Sequence, residues 1–126
     1  MNPKRILVAD DSTTVQLMYR MLLADGPWTL IVARNGREAV QKALTEAPDL
    51  IFLDVMMPEL DGFAACRQIR ANQPTQHTPI IMVTTRGEPH NVELGYQSGC
   101  TDYVAKPFSG PELLARVHSC LGTGPS

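Results

Sequence analysis

No apolar run in the 126-residue chain approaches the ~20 residues a membrane-spanning helix needs. The stretch behind the charged start Met1-Asn2-Pro3-Lys4-Arg5 stops at Asp10, too short for the core of a secretory signal. Cysteine is scarce. Cys66, Cys100 and Cys120 are odd in number, widely spaced and without CxxC pairing, which argues against a disulfide framework or a structural zinc and points to a reducing cytoplasm. His77, His90 and His118 are equally scattered and form no HExxH-type ligand spacing. Neither sign of charge dominates: 11 Lys and Arg against 13 Asp and Glu give a formal net charge of −2, a poor basis for bulk nucleic-acid binding. Internal repeats, low-complexity tracts and interdomain linkers are also missing from the pattern. With 44% hydrophobic and 19% charged residues, what remains is an ordinary globular composition of one-domain length. A chain of this size buries roughly two-thirds of its unfolded surface and needs no covalent staple.

Two kinds of segment alternate. Ile6–Ala9, Leu30–Ala33, Leu50–Leu53, Ile80–Val83 and Asp102–Ala105 are short, nearly unbroken apolar runs rich in β-branched residues. Apolarity without alternation means burial on both faces, the mark of parallel strands covered by helices. Between them lie helical periods. Ser12 to Ala24 places Val15, Met18, Met21 and Leu22 inward and Gln16 and Arg20 outward; Gly36 to Glu46 buries Ala39, Val40, Ala43 and Leu44. Asp61 to Ala71 carries Phe63, Cys66 and Ile69, with Asp61 as a cap. Pro89 to Gln97 is a weak helix, with Val92 and Leu94 and an internal Gly95 that costs about 1 kcal/mol relative to Ala. Pro111 to Leu121, after Ser109-Gly110, aligns Leu114, Val117 and Leu121. Strand and helix in alternation read as one α/β domain. Five parallel strands and five helices fit the doubly wound, flavodoxin-like order 2-1-3-4-5, with the ligand crevice at the carboxyl ends of strands 1 and 3. The domain is expected over residues 1–121, with 122–126 as a flexible tail.

Polar residues gather at those carboxyl ends. Strand 1 runs into Asp10-Asp11, strand 3 into Asp54, strand 4 into Thr84-Thr85 and strand 5 into Lys106-Pro107. Three converging carboxylates repel: at about 4 Å and an effective dielectric near 20, each close pair costs roughly 4 kcal/mol. A cation between them is required, either Lys106 or a divalent ion. Clustered hard oxygens favour Mg²⁺ or Mn²⁺. A single Asp after a strand is commonly a helix cap. The whole set at four strand ends is not explained as caps.

The stretches Ile6–Ser12, Asp49–Gly62, Pro79–Thr84 and Asp102–Phe108, in this order, resemble the receiver domain of two-component response regulators, and the resemblance covers nearly the whole chain. It implies a role for each matching position. Asp54 corresponds to the phospho-acceptor. Asp10 and Asp11 correspond to the acidic pair that holds Mg²⁺, with the Met56 backbone carbonyl as a further ligand. Lys106 corresponds to the lysine that pairs with the carboxylate and then the phosphoryl group. Thr84 matches the switch hydroxyl and Tyr103 the switch aromatic, and the bond to Pro107 is expected to be cis. The resemblance further implies a sensor histidine kinase or phosphotransfer protein as donor, and a target protein or fused output domain as receiver of the signal. It implies no direct nucleic-acid or membrane contact. Stand-alone, chemotaxis-type regulators and receivers joined to a larger protein both fit the pattern. The expected activity is that of a signalling switch, with catalysis limited to its own phosphorylation and dephosphorylation.

Two positions depart from the family's habit. Thr85 stands where a small Ala or Gly is usual and narrows access to the phosphoryl site, and Arg86 beside it is long and cationic. Both bear on phosphorylation and dephosphorylation rates. Other readings of the fold fare worse. A haloacid-dehalogenase-type phosphatase needs D-x-D on strand 1, where this chain has Asp10-Asp11-Ser12, and a flavin carrier needs a phosphate loop where two carboxylates sit. A degenerate receiver that binds partners without phosphorylation is the remaining alternative. Trp28 is read as strand-edge packing, His118 as solvated or packed, and Met18, Met21, Met56, Met57 and Met82 as a flexible core.

Overall fold

A computed structural model describes residues 3–85 and 89–122 of the chain. In order it runs β1 (Lys4–Ala9), α1 (Thr13–Leu22), β2 (Trp28–Ala33), α2 (Gly36–Glu46), β3 (Leu50–Asp54), α3 (Gly62–Ala71), a short 3₁₀ turn (Gln73–Thr75), β4 (Ile80–Thr85), α4 (Pro89–Gln97), β5 (Asp102–Lys106) and α5 (Gly110–Leu121). The sheet order is β2-β1-β3-β4-β5 and every pairing is parallel, as the alternating pattern predicts. Ala9 pairs with both Ala33 and Leu53, and Asp54 with Val83. Asp10 and Asp54, the residues after Ala9 and Leu53, therefore stand side by side at the carboxyl ends of β1 and β3. None of the described helices is long and apolar enough to cross a membrane.

Successive strand residues face opposite sides, so the continuous apolar runs feed two cores. Leu7, Ala9, Ile51, Leu53, Ile80 and Met82 point to one side, against Ala39 and Ala43 of α2 and Ala65, Cys66 and Ile69 of α3. Ile6, Val8, Leu50, Phe52, Ile81 and Val83 point to the other, against Tyr19 of α1 and Leu113 and Val117 of α5. Every residue of the central strand β3 is buried. The helices start on side-chain caps: Ser12 accepts from the Val15 N–H, Asn35 from Glu38 and Asp61 from Ala64. At α5, Ser109 and Glu112 form a reciprocal capping box. Each cap is worth about 1 kcal/mol. Gly122, in the left-handed region with φ 66°, ends α5 by donating to the His118 carbonyl at 2.9 Å.

The expected inward face of α1 is wrong by a fraction of a turn. Gln16, Tyr19 and Leu23 are the buried positions, whereas Met18 lies at the surface and Met21 is 70% exposed. Two interactions set the rotation. The Gln16 amide donates to the Asp10 carbonyl at 2.7 Å, and the Tyr19 ring sits 5.6 Å from both Phe52 and Phe108. Leu44, expected inward on α2, is also exposed. The methionine core is likewise corrected: Met82 is fully buried and Met57 packs against the core, but Met56 is 71% exposed. Trp28 packs at the strand edge over His118 (ring centroids 5.9 Å) and donates its indole N–H to the Leu23 carbonyl. The cysteines are all free; burial pushes the Cys66 thiol up and the Cys100 thiol to about 11, so both stay neutral and unreactive.

Gly95 has a packing reason the sequence does not show. A Cβ there would lie 3.3 Å from Met82 Cγ and Cys100 Sγ, so its absence lets α4 approach β4 closely. Gly62 is tighter. A Cβ would stand 2.3 Å from the Asp54 carbonyl oxygen and 3.0 Å from Val55 Cα, both backbone atoms that cannot rotate away. Gly62→Ala is therefore expected to destabilise the fold by about 1–3 kcal/mol, the usual range for overpacking. Urea denaturation checks it: a midpoint equal to that of the parent protein would mean that α3 does not press on the end of β3.

Candidate functional site

The site is built where β1, β3 and β5 end. Asp10 follows β1, held by its N–H to the Ala33 carbonyl at 3.0 Å. Its side chain is only 1% exposed and both oxygens are engaged. One accepts from the Ser12 N–H at 2.9 Å, the other from Lys106 Nζ at 2.7 Å. Asp54, the last residue of β3, is 7% exposed and places Oδ1 3.3 Å from the same ammonium. Asp11 stands at the open rim. One oxygen each from Asp10, Asp11 and Asp54 lie within 4.8 Å of one another. Lys106 enters from β5, and the peptide joining it to Pro107 is cis.

Three carboxylates share one ammonium, and the imbalance shows in the Asp54 carboxyl. Burial, then the charge of Asp10, push its pKa from 3.8 to about 6, against the pull of Lys106. For Lys106, burial pulls downward, but the bond to Asp10 and the charges of Asp54 and Asp10 outweigh it and hold the ammonium above its usual value. The phenol of Tyr19, buried beneath the site, is raised well above 10 by burial and by the charges of Asp10 and Asp54, so it stays protonated. Hard carboxylate oxygens at this spacing, short of positive charge, fit a small divalent cation better than a soft metal.

Thr84 lies near the end of β4, next to Val83, the partner of Asp54, and is buried. Tyr103 lies on β5, 36% exposed at the surface. Met56 comes two residues after Asp54 with its side chain in solvent. The structure thus gathers Asp10, Asp11, Asp54 and Lys106 into one pocket. Thr84 stands one strand over, and Tyr103 is turned toward the outer face. The side chain of Thr85, and Arg86 altogether, fall outside the described residues. Two contributors escaped the sequence reading. Ser12 supplies a main-chain N–H, which no sequence motif displays. Gln16 looked solvent-facing because a lone polar residue in an amphipathic helix normally is. Beside the pocket, Val15, Met18, Lys106, Pro107 and Phe108 line an apolar cavity of about 320 Å³.

Residues 6–118 match the sequence profile of the response regulator receiver domain. The transcriptional regulatory protein ResD of Bacillus subtilis is 43% identical over 120 residues, covering 95% of this chain and 49% of ResD. The alkaline phosphatase synthesis transcriptional regulatory protein PhoP of the same organism is 43% identical over 118 residues, 94% of this chain and 48% of PhoP. Among solved structures, the chemotaxis protein CheY4 of Vibrio cholerae superposes with a TM-score of 0.87 at 32% identity, covering 94% of this chain and 98% of CheY4. The receiver domain of the sensor histidine kinase PA1611 of Pseudomonas aeruginosa gives 0.89 at 30% identity, over 96% and 99% of the two chains; that structure has a magnesium ion coordinated in its active-site cleft. The chain belongs to the response regulator receiver domain family. It spans about half the length of the two regulators ResD and PhoP.

The raised carboxyl makes stability pH-dependent in a defined sense. A group whose folded pKa lies above its unfolded value favours the folded state when protonated. Its contribution is full below 3.8 and is lost as pH rises through about 6. Above that, the Asp54 charge costs on the order of 3 kcal/mol. Asp54→Asn is expected to raise stability by up to about that amount near pH 8, with the gain shrinking to nothing near pH 4. Denaturant titrations at several pH values check this. A gain that does not change with pH would mean that the buried charge is not its source.

Proposed function

We propose that the chain is a phosphoryl-accepting switch, with Asp54 as the acceptor. The observation that carries this reading is a buried strand-end carboxylate whose oxygen shares Lys106 with Asp10 and clusters with Asp10 and Asp11. Above pH about 6 the Asp54 carboxylate is ionised, and its raised basicity favours attack. The donor is a phosphohistidine on a sensor kinase or phosphotransfer protein. A bond forms between Asp54 Oδ and phosphorus as the P–N bond breaks, and its electron pair leaves on the imidazole. Lys106 offers a fixed ammonium to the phosphoryl oxygens, as a point charge. Asp10, Asp11 and Asp54, with the main-chain carbonyl of Met56, would hold Mg²⁺ or Mn²⁺. Such an ion supplies charge neutralisation for the transfer. Hydrolysis of the acyl phosphate resets the switch.

The Thr84 hydroxyl reads the phosphoryl group and Tyr103 turns inward in response, so that a charge event becomes a packing event on α4, β5 and α5. That surface then controls a target protein or a fused output domain, an arrangement in keeping with relatives that are named transcriptional regulators. The receiver occupies residues 1–121; of the tail expected at 122–126, residues 123–126 lie outside the described residues. Leu17, Met18 and Met21 expose an apolar strip on α1 beside the cavity at Pro107 and Phe108, and we place the phosphodonor there.

Acetyl phosphate or beryllofluoride with Mg²⁺ is expected to modify the parent protein and to leave Asp54→Ala unmodified, as read by intact mass or ¹⁹F spectra. An adduct on Asp54→Ala, mapped to another residue, overturns the assignment. Thr84→Ala is expected to accept the adduct, since the hydroxyl is not the nucleophile, but to lose the response of α4 and β5. Hydrogen exchange on beryllofluoride-treated parent and variant decides this, and equal protection changes in both remove Thr84 from the coupling.

A further inference from the structure

Tyr103 is not loose at the surface. Its ring meets that of Tyr96 on α4 edge-on, with centroids 5.9 Å apart and planes at 88°. This is the arrangement in which the positive edge of one ring faces the negative face of the other. Tyr96 is itself 47% exposed, so core packing does not account for its position. Its hydroxyl lies 3.4 Å from Asp102 Oδ1, which also accepts the Tyr103 N–H at 2.8 Å. Asp102 is held in turn by Arg116 of α5, whose Nε lies 3.1 Å from Oδ2. A guanidinium nitrogen of Arg116 also donates to the Tyr103 carbonyl at 3.5 Å. Asp102 and Arg116 thus fix the Tyr103 main chain, while the Tyr96 ring contacts its side chain in the outward position.

We propose that Tyr96 is a positioning residue that latches Tyr103 outward and so sets the resting balance of the switch. The inference rests on the receiver reading above and adds a residue to it. The outward state keeps the ring pair and the inward state gives it up. Removing the Tyr96 ring therefore shifts the population inward before any phosphoryl group arrives. A ligand that favours the inward state then binds more tightly by the same factor. The ring contact carries most of the effect, because the 3.4 Å bond to Asp102 is long and exposed.

The test uses the whole chain, Mg²⁺ and beryllofluoride. Tyr96→Ala is expected to bind beryllofluoride roughly two- to tenfold more tightly, the worth of one edge-to-face pair. Tyr96→Phe, which keeps the ring, is expected to stay close to the parent. In a Tyr103→Leu background, Tyr96→Ala is expected to change nothing, which separates latching from a general loosening of α4. Carbon-13 labelled tyrosine gives a second readout without beryllofluoride: the Tyr103 ring signal of the resting protein moves toward its beryllofluoride-bound position in Tyr96→Ala. Equal affinities in parent and Tyr96→Ala overturn the latch, as does the same gain in the Tyr103→Leu background. If the parent fails to bind beryllofluoride at all, the receiver reading falls and the latch with it.

Discussion

The ion pair between Lys106 and Asp10 closes the site across the sheet. The two residues are 96 positions apart in sequence, and their strands are not neighbours, since β3 and β4 lie between β1 and β5. The 2.7 Å contact spans them by reaching over the end of β3, where Asp54 waits at 3.3 Å. An aspartate 1% exposed needs a partner there, because desolvation of a lone carboxylate costs several kcal/mol. Removing the ammonium would leave Asp10 and Asp54 facing each other with nothing between them. The lysine is itself partly exposed, so the pair is not sealed from water, and one side of the pocket stays open to a ligand.

That arrangement is available only because the sheet is parallel and covered on both faces. Alternate side chains of the strands fill two separate cores, so the central strand β3 buries itself completely and has no polar face to offer. Polar chemistry is pushed to the strand ends, and parallel strands bring those ends to one rim. Register then does the fine placement. Pairing Asp54 with Val83 puts Thr84 one residue beyond the level of Asp54, and pairing Thr84 with Ala105 puts Lys106 next in line. A one-residue slip in β4 would turn Thr84 to the opposite face of the sheet.

Much of this was legible because it depends on runs and ends. Unbroken apolarity named the strands, and the residue after each run named the pocket. Rotations of individual helices were not legible. In α1 the apolar count favoured Met18 and Met21, but Gln16 is bonded to a main-chain carbonyl and Tyr19 is caged by Phe52 and Phe108. Those partners lie on other elements, and a periodicity argument sees only its own. Gly95 read as a weakness in α4 for the same reason. Its value is the space it leaves for Met82, a residue of β4. The Tyr96–Tyr103 contact likewise joins a helix to a strand and has no signature at either position.

A switch also needs parts that do not move, and the far rim of the molecule supplies them. Arg70, near the end of α3, donates to the carbonyls of Gly99, Thr75, Gln76 and Thr78 and to the hydroxyl of Thr101. One guanidinium thereby ties α3, the loop before β4 and the turn between α4 and β5. Gly99, at φ 104°, gives that turn its shape and lets the chain pass over the Arg70 side chain, where a Cβ would come within 2.9 Å of Cγ. Cys100, buried behind it, donates its N–H to the Gly95 carbonyl and closes the end of α4. The carboxyl end of α4 is therefore fastened to the frame by main-chain and guanidinium bonds. Tyr96, whose own carbonyl accepts the Gly99 N–H at 3.1 Å within that fastened turn, is held to β5 through its side chain by a ring contact worth about 1 kcal/mol. Of two restraints of such unequal strength on one helix end, a modest perturbation breaks the weaker first: the ring contact can yield while the fastened turn stays in place.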